Sequence, residues 1–209
     1  DDEERQHLDA KRVAVAEALA DLQETEQAER AEFAADRSSP GALPVSLPTP
    51  VAEASFDEPI DGADRTVPGV KGQAVELTGD DEVIAADEIA LDRADAFSFA
   101  VWLRADRSHE RAVVFHGCRA ALDSASRGYE LLIEEGRLVV GLNHFWPGNA
   151  LRIQAKRPLP VDRWVHVAWT YDGSSQAAGL ALYVDGKQAP VDVIRDGLNK
   201  TIVDGDTKK

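Results

Sequence analysis

From about residue 51 onward, apolar residues recur at every second position in short runs separated by turn residues. This limits the segment to a half-buried β structure. Phe97, Phe99, Val101 and Leu103 alternate with Ser98, Ala100, Trp102 and Arg104. Gln73–Leu77, Arg111–His116, Leu151–Ala155, Trp164–Tyr171 and Leu180–Val184 read as further strands. Tyr129–Ile133 runs through Glu134-Glu135-Gly136 into Arg137–Leu142, which is a hairpin signature. Asp172-Gly173 and Asp185-Gly186 are turn dipeptides suited to positive φ. No convincing helix follows residue 51. Many short strands with Gly-containing turns predict a sandwich or barrel, with Val165, Val167, Trp169, Leu180, Leu182 and Val184 facing the core.

The preceding sequence has a different texture. Residues 1–37 are rich in Ala, Glu, Gln and Arg and lack Gly and Pro. Leu8, Val15, Leu19 and Leu22 recur at helical spacing, and the stripe thins to Ala28 and Phe33. This predicts one weakly amphipathic acidic helix, either a solvated spacer or a surface that pairs with another domain. Residues 38–50 contain Pro40, Gly41, Pro44, Pro48 and Pro50, cannot continue a helix and mark a linker. The β domain is assigned to 51–209. No apolar run approaches the ~20 residues of a membrane span. The chain lacks a signal peptide and any Met, and reads as a segment of a longer protein.

The formal charge of −15 disfavours nucleic acid and anionic lipid surfaces, and leaves neutral ligands, cations or basic proteins as partners. The charge also has a plain role in solubility. Cys118 is the single cysteine, so an internal disulfide and a multi-thiolate zinc site are excluded. His116 and Cys118 have no further ligand nearby in sequence, and His166 reads as a structural strand histidine.

The segments GQAVELTGDDEVIAA, FSFAVWLRAD, RWVHVAWTYDG and LALYVDGKQA occur in this order. Over about residues 51–200 the chain resembles the laminin-G-like branch of the concanavalin A-like lectin/glucanase superfamily. RGYELLIEEGRL, NHFWPGNALRIQAK, YDGSSQAAGLALYVDG and VIRDGLNKTI are similar to the laminin-G-like insert of large bacterial extracytoplasmic proteins that also carry cytochrome-c-like domains. The resemblance implies a mainly β fold, an antiparallel jelly-roll β-sandwich, preceded here by the N-terminal α-helix. It also implies an extracytoplasmic location, periplasmic or cell-surface, and carbohydrate binding. Relatives finish with a strand resembling "iDdvriy". The chain ends at Lys209 without one, so the sandwich is expected to lack its last strand, which often supplies an acidic calcium ligand.

The loop Asn143–Asn149 is the first ligand candidate. Trp146 lies beside Pro147 and Gly148, where an exposed ring can stack on the C–H face of a sugar. Asn143, His144, Asn149 and Arg152 supply hydrogen-bonding groups for hydroxyls. A second reading has Trp146 folding back to cap one end of the sandwich. Trp102 is also a ligand candidate if the Phe97–Leu103 apolar face is inside, although core packing of Trp102 is the simpler expectation. Calcium is a candidate cofactor, with weak oxygen ligands at Asp57 and Asp80, and others at Asp61, Asp81, Asp172 and Asp185. Catalysis is not expected. Retaining glycosidases need carboxyls ~5.5 Å apart, whereas Glu130 and Glu134 are four strand residues apart, ~13 Å. Glu-x-Asp-x-Glu, Gly-x-Ser-x-Gly, a P-loop and a dinucleotide fingerprint are all absent. The reading is a non-catalytic polysaccharide-binding module within a larger protein. Its rival is an interaction or architectural module docked on neighbouring domains.

Overall fold

The computed structural model describes residues 6–7, 11–20, 49–58, 62, 65–79, 83, 89–118 and 126–203. The chain divides by contacts into residues 1–50 and 51–209. In the first unit, 11–20 are helical, and Val13, Val15 and Leu19 are exposed. Residues 6–7 are helical as well; the other residues of the expected helix, and all but the last two residues of the expected linker, lie outside the described residues.

The second unit is mainly β and antiparallel. Its strands are β1 (Arg65–Pro68), β2 (Gln73–Glu76), β3 (Phe97–Leu103), β4 (Arg111–Cys118), β5 (Gly128–Glu134), β6 (Arg137–Phe145), β7 (Asn149–Ala155), β8 (Val165–Tyr171), β9 (Leu180–Val184), β10 (Lys187–Gln188) and β11 (Val191–Asp196). Besides the β1–β2 pair there are two sheets, ordered β10-β9-β8-β3 and β11-β7-β6-β5-β4. The chain lays β3 in the first sheet and runs through β4–β7 as a meander in the second. It then returns for β8–β10, and β11 closes beside β7. The result is a β-sandwich.

Two hairpins follow from their turn residues. Glu135-Gly136 joins β5 to β6 with φ of 51° and 73°, and Asp185-Gly186 joins β9 to β10 with φ of 50° and 80°. Paired positive φ is the twist that a two-residue hairpin requires.

The period-two pattern decides the core. On β8, Val165, Val167, Trp169 and Tyr171 are buried while the residues between them are half-buried. Phe97 and Phe99 of β3 pack on Trp169, with ring centroids 5.4 and 5.1 Å apart. Phe99 also reaches across to the second sheet, 4.8 Å from Tyr129 and 5.1 Å from Phe115. Leu131, Val140, Leu142, Leu151, Ile153 and Leu182 complete the buried interior. The simpler expectation for Trp102 is overturned: its core packing is excluded because the alternation sends Phe97, Phe99, Val101 and Leu103 inward. Trp102 is 51% exposed on the outer face of the four-stranded sheet.

The segment after β11 is tied down by Asp92. Its Oδ1 accepts hydrogen bonds from the Ile202 amide (3.0 Å), the Thr201 hydroxyl (2.9 Å) and the Arg93 amide (2.7 Å). Leu198 and Ile202 are thereby held in the core. Burial alone would raise the Asp92 pKa, but the hydrogen bonds from Arg93, Ile202 and Thr201 and the Arg93 charge together hold it below 3.8. A depressed folded-state pKa contributes stability above the unfolded value, and that contribution is lost as pH falls through the folded one. Asp92→Ala is expected to cost about 1–3 kcal/mol at neutral pH, read from urea midpoints, with the gap to the wild type narrowing below pH ~4.

Candidate functional site

The two sheets differ on their outer faces. That of the four-stranded sheet carries exposed Ser98, Ala100 and Trp102, and half-buried His166, Ala168, Thr170, Ala181 and Tyr183. The Trp102 ring meets His166 edge-on at 5.1 Å. On the five-stranded sheet, Glu130, Leu132, Val139, Asn143, Ala150, Arg152 and Gln154 of the outer face are all buried. This second face collects the charged chemistry.

Strand register explains why. Glu130, Gly141 and Arg152 lie side by side on β5, β6 and β7. Gly141 has no side chain, so the carboxylate and guanidinium meet above it, with Arg152 Nη2 2.6 Å from Glu130 Oε1. A Cβ at residue 141 would stand 2.7 Å from that carboxylate oxygen. Arg152 Nη1 donates to both oxygens of Glu134 at 3.3 Å, and Arg111 lies 3.8 Å from Glu134. The two carboxylates, four residues apart on β5, converge on one buried cation. A guanidinium offers two edges in a fixed fork, which suits that arrangement. The Trp146 ring lies 4.0 Å over the Arg152 guanidinium carbon, a cation–π stack. Cys118, on the neighbouring β4, has its thiol pushed up to about 12 by burial and by the Glu130 charge.

At one end of this face is a cleft of about 340 Å³ lined by Glu110, Arg111, Glu134, Glu135, Gln154 and Ile194. Gln154 donates to the Glu134 carbonyl at 3.3 Å. The register of β11 on β7 shifts between Val193 and Arg195, and the intervening Ile194 contributes to the cleft wall.

At the other end is the β6–β7 turn. His144 Nδ1 is 2.7 Å from the Thr201 carbonyl oxygen. Asn149 donates to Asn199 Oδ1 at 2.6 Å and accepts from the Asn199 and Lys200 amides. Arg195 donates to the Gly148 carbonyl at 3.1 Å. The turn is therefore clamped to the segment after β11, and Phe145, the last residue of β6, is 67% exposed.

The structure brings Asn143, Trp146 and Arg152 to one face. His144 and Asn149 lie at its edge, where they clamp the turn. Trp102 belongs to the other sheet. Sequence reasoning missed Phe145, although its place beside the Trp-Pro-Gly turn was a usable signal. It also missed Gln154 and the joint role of Glu130 and Glu134, which depends on β5–β6–β7 register. Of the calcium candidates, Asp57 accepts from the Gln73 amide, Asp172 from the Ser174 amide, and Asp185 from the His166 amide and Arg163. Asp61, Asp80 and Asp81 lie outside the described residues. Among the described residues no three or more His, Cys, Asp or Glu side chains are grouped to hold a metal.

The buried triad makes a quantitative prediction. Arg152→Leu leaves Glu130 buried without its cation and is expected to cost about 3–5 kcal/mol in chemical denaturation. Adding Glu130→Leu removes the stranded charge, and the double variant is expected to be more stable than Arg152→Leu alone. Simple additivity of two losses would contradict this role for the pair.

Comparison with known proteins bears on the fold that carries this site. A laminin-G sequence model of the concanavalin A-like lectin/glucanases superfamily matches residues 77–205. The chain is similar to a candidate carbohydrate binding protein of known crystal structure from Bacteroides ovatus, at 19% identity and a TM-score of 0.35. That match covers 53% of this chain and 29% of the other, so this chain spans less than a third of that protein's length. No curated protein matches the chain.

Proposed function

This chain belongs to the concanavalin A-like lectin/glucanases superfamily, and from that premise we propose that it is a non-catalytic carbohydrate-binding module of a larger extracytoplasmic protein. The observation that carries the proposal is the clamped β6–β7 turn. It presents Phe145 to solvent and fixes Trp146 on the Arg152–Glu130–Glu134 network. Sugar rings present flat C–H faces and flanking hydroxyls. Aromatic rings on a clamped turn beside a polar surface meet both needs. The ligand is a neutral polysaccharide, because the chain carries −15 and the two arginines of the network, Arg111 and Arg152, already face carboxylates.

A non-catalytic role is supported by the same network. Glu130 is fully buried and bound to Arg152, and Glu134 shares that cation. Neither carboxylate is placed as a free acid or nucleophile facing a substrate. The extracytoplasmic location rests on the segments resembling bacterial laminin-G-like inserts. A second reading, docking on neighbouring domains, is favoured by Trp102, which stands exposed beside His166 on the opposite sheet.

The test is affinity electrophoresis through a panel of neutral and acidic polysaccharides, with calcium and then with chelator. Retardation by a neutral polymer is expected. Trp146→Ala and Phe145→Ala are each expected to weaken it at least about tenfold, or about 1.4 kcal/mol, with unfolding temperatures within a few degrees of wild type. Trp102→Ala is expected to leave it unchanged. Loss of retardation on adding chelator would assign calcium a part in binding. No retardation by any polymer would overturn the proposal in favour of the docking role.

A further inference from the structure

Among the described residues, four buried side-chain polar atoms have no hydrogen-bond partner: Nδ2 and Oδ1 of Asn143, Nε of Arg152 and Nε1 of Trp169. The Trp169 indole lies within the aromatic core, against Phe97 and Phe99. The other three atoms share the outer face of the five-stranded sheet. Asn143 on β6 pairs with Ala150 on β7, two rungs from the Gly141–Arg152 pair and on the same face. Asn143 is 0% exposed and Arg152 is 5% exposed.

A buried primary amide with neither end bonded destabilises a fold, whereas a leucine of similar shape would not. Its surroundings suit a ligand. Across the ladder Asn143 faces Gly128 on one side and Ala150 on the other, and Gly141 precedes it on the same face. Those three residues have little or no side chain to bond or crowd the amide. The next rung on this face supplies Arg152, whose Nη atoms serve the carboxylates while Nε–H does not. One amide acceptor, one amide donor and one guanidinium donor match two adjacent hydroxyls, each of which donates and accepts.

We infer that Asn143 and Arg152 Nε read the vicinal diol of an uncharged sugar at a polysaccharide chain end, admitted when Trp146 lifts from the Arg152 guanidinium. This rests on the carbohydrate-binding proposal and deepens it. The depth of Asn143 selects the chain end. An internal unit is linked on two sides and cannot descend to a buried sheet floor, whereas a terminal unit is linked on one. Charge selects a neutral sugar, since Glu130 and Glu134 already face Arg152 and Arg111 and an added uronate or sulfate would meet carboxylates.

The test uses the full chain with xylo-, cello- and laminari-oligosaccharides, each as dimer and hexamer, in titration calorimetry. For the series that binds, dimer and hexamer are expected to have dissociation constants within about twofold, because one terminal unit makes the contacts. Asn143→Leu is expected to raise the unfolding temperature by about 2 °C or more and to weaken binding at least tenfold. Affinity that climbs steadily with chain length in the wild type would overturn chain-end reading while leaving the carbohydrate proposal intact. Wild-type affinity in Asn143→Leu, or a variant less stable than wild type, would likewise overturn the role of Asn143 alone. Failure of the wild type to bind any of the oligosaccharides would overturn both.

Discussion

The guanidinium of Arg152 is the group around which the outer face of the five-stranded sheet is arranged. Burying a cation there is tolerable only because Glu130 and Glu134 are brought to it from β5. The carboxylates can reach it only because the intervening position on β6 is Gly141. Trp146 then uses the face of the same cation as its resting surface. Strand pairing sets the order of these residues and charge pairing sets their conformations. The loop inherits its geometry from both.

The second source of order is the segment after β11. Asp92 fixes Thr201 and Ile202, and Thr201, Asn199 and Lys200 in turn hold His144 and Asn149. The polar residues of the β6–β7 turn are thus spent on rigidity, while its aromatic residues remain available. Binding surfaces gain affinity when their supports are ordered beforehand, because less freedom is lost on association. The uneven use of polar groups within one short turn fits that division. Asn143 falls outside it, buried on β6 two residues before the strand ends, with its amide unbonded.

Eight of the strands were legible in the sequence, because period-two alternation and positive-φ turn residues report directly on a half-buried sheet. β1 was hidden by its brevity and Pro68, and β10 is only two residues long. β11 was hidden because Val193 and Ile194 are exposed and its register shifts, so no alternation is written in it. Trp102 was misjudged although the Phe97–Leu103 stripe pointed the right way; core packing was the simpler expectation, and the alternation overruled it. The loop around Trp146 was found from its turn chemistry. Whether its polar groups faced a ligand or the protein was not legible, because the groups that engage His144 and Asn149 lie about fifty residues downstream. Local patterns carry no record of such pairings, and the Glu130–Arg152–Glu134 triad was lost for the same reason.

The central claim is that ligand binds on the Arg152 face and not on the Trp102 face. The four tryptophans are spread over the sandwich, so their indole N–H resonances, with the Asn143 amide and Arg152 Nε–H, report on each surface separately. The most direct measurement is a titration of isotopically labelled protein with fragments of whichever polysaccharide retards it. The account predicts that Trp146, Asn143 and Arg152 Nε–H shift together and saturate at one concentration, while Trp102 stays still. Shifts centred on Trp102 with Trp146 and Asn143 unmoved would contradict it.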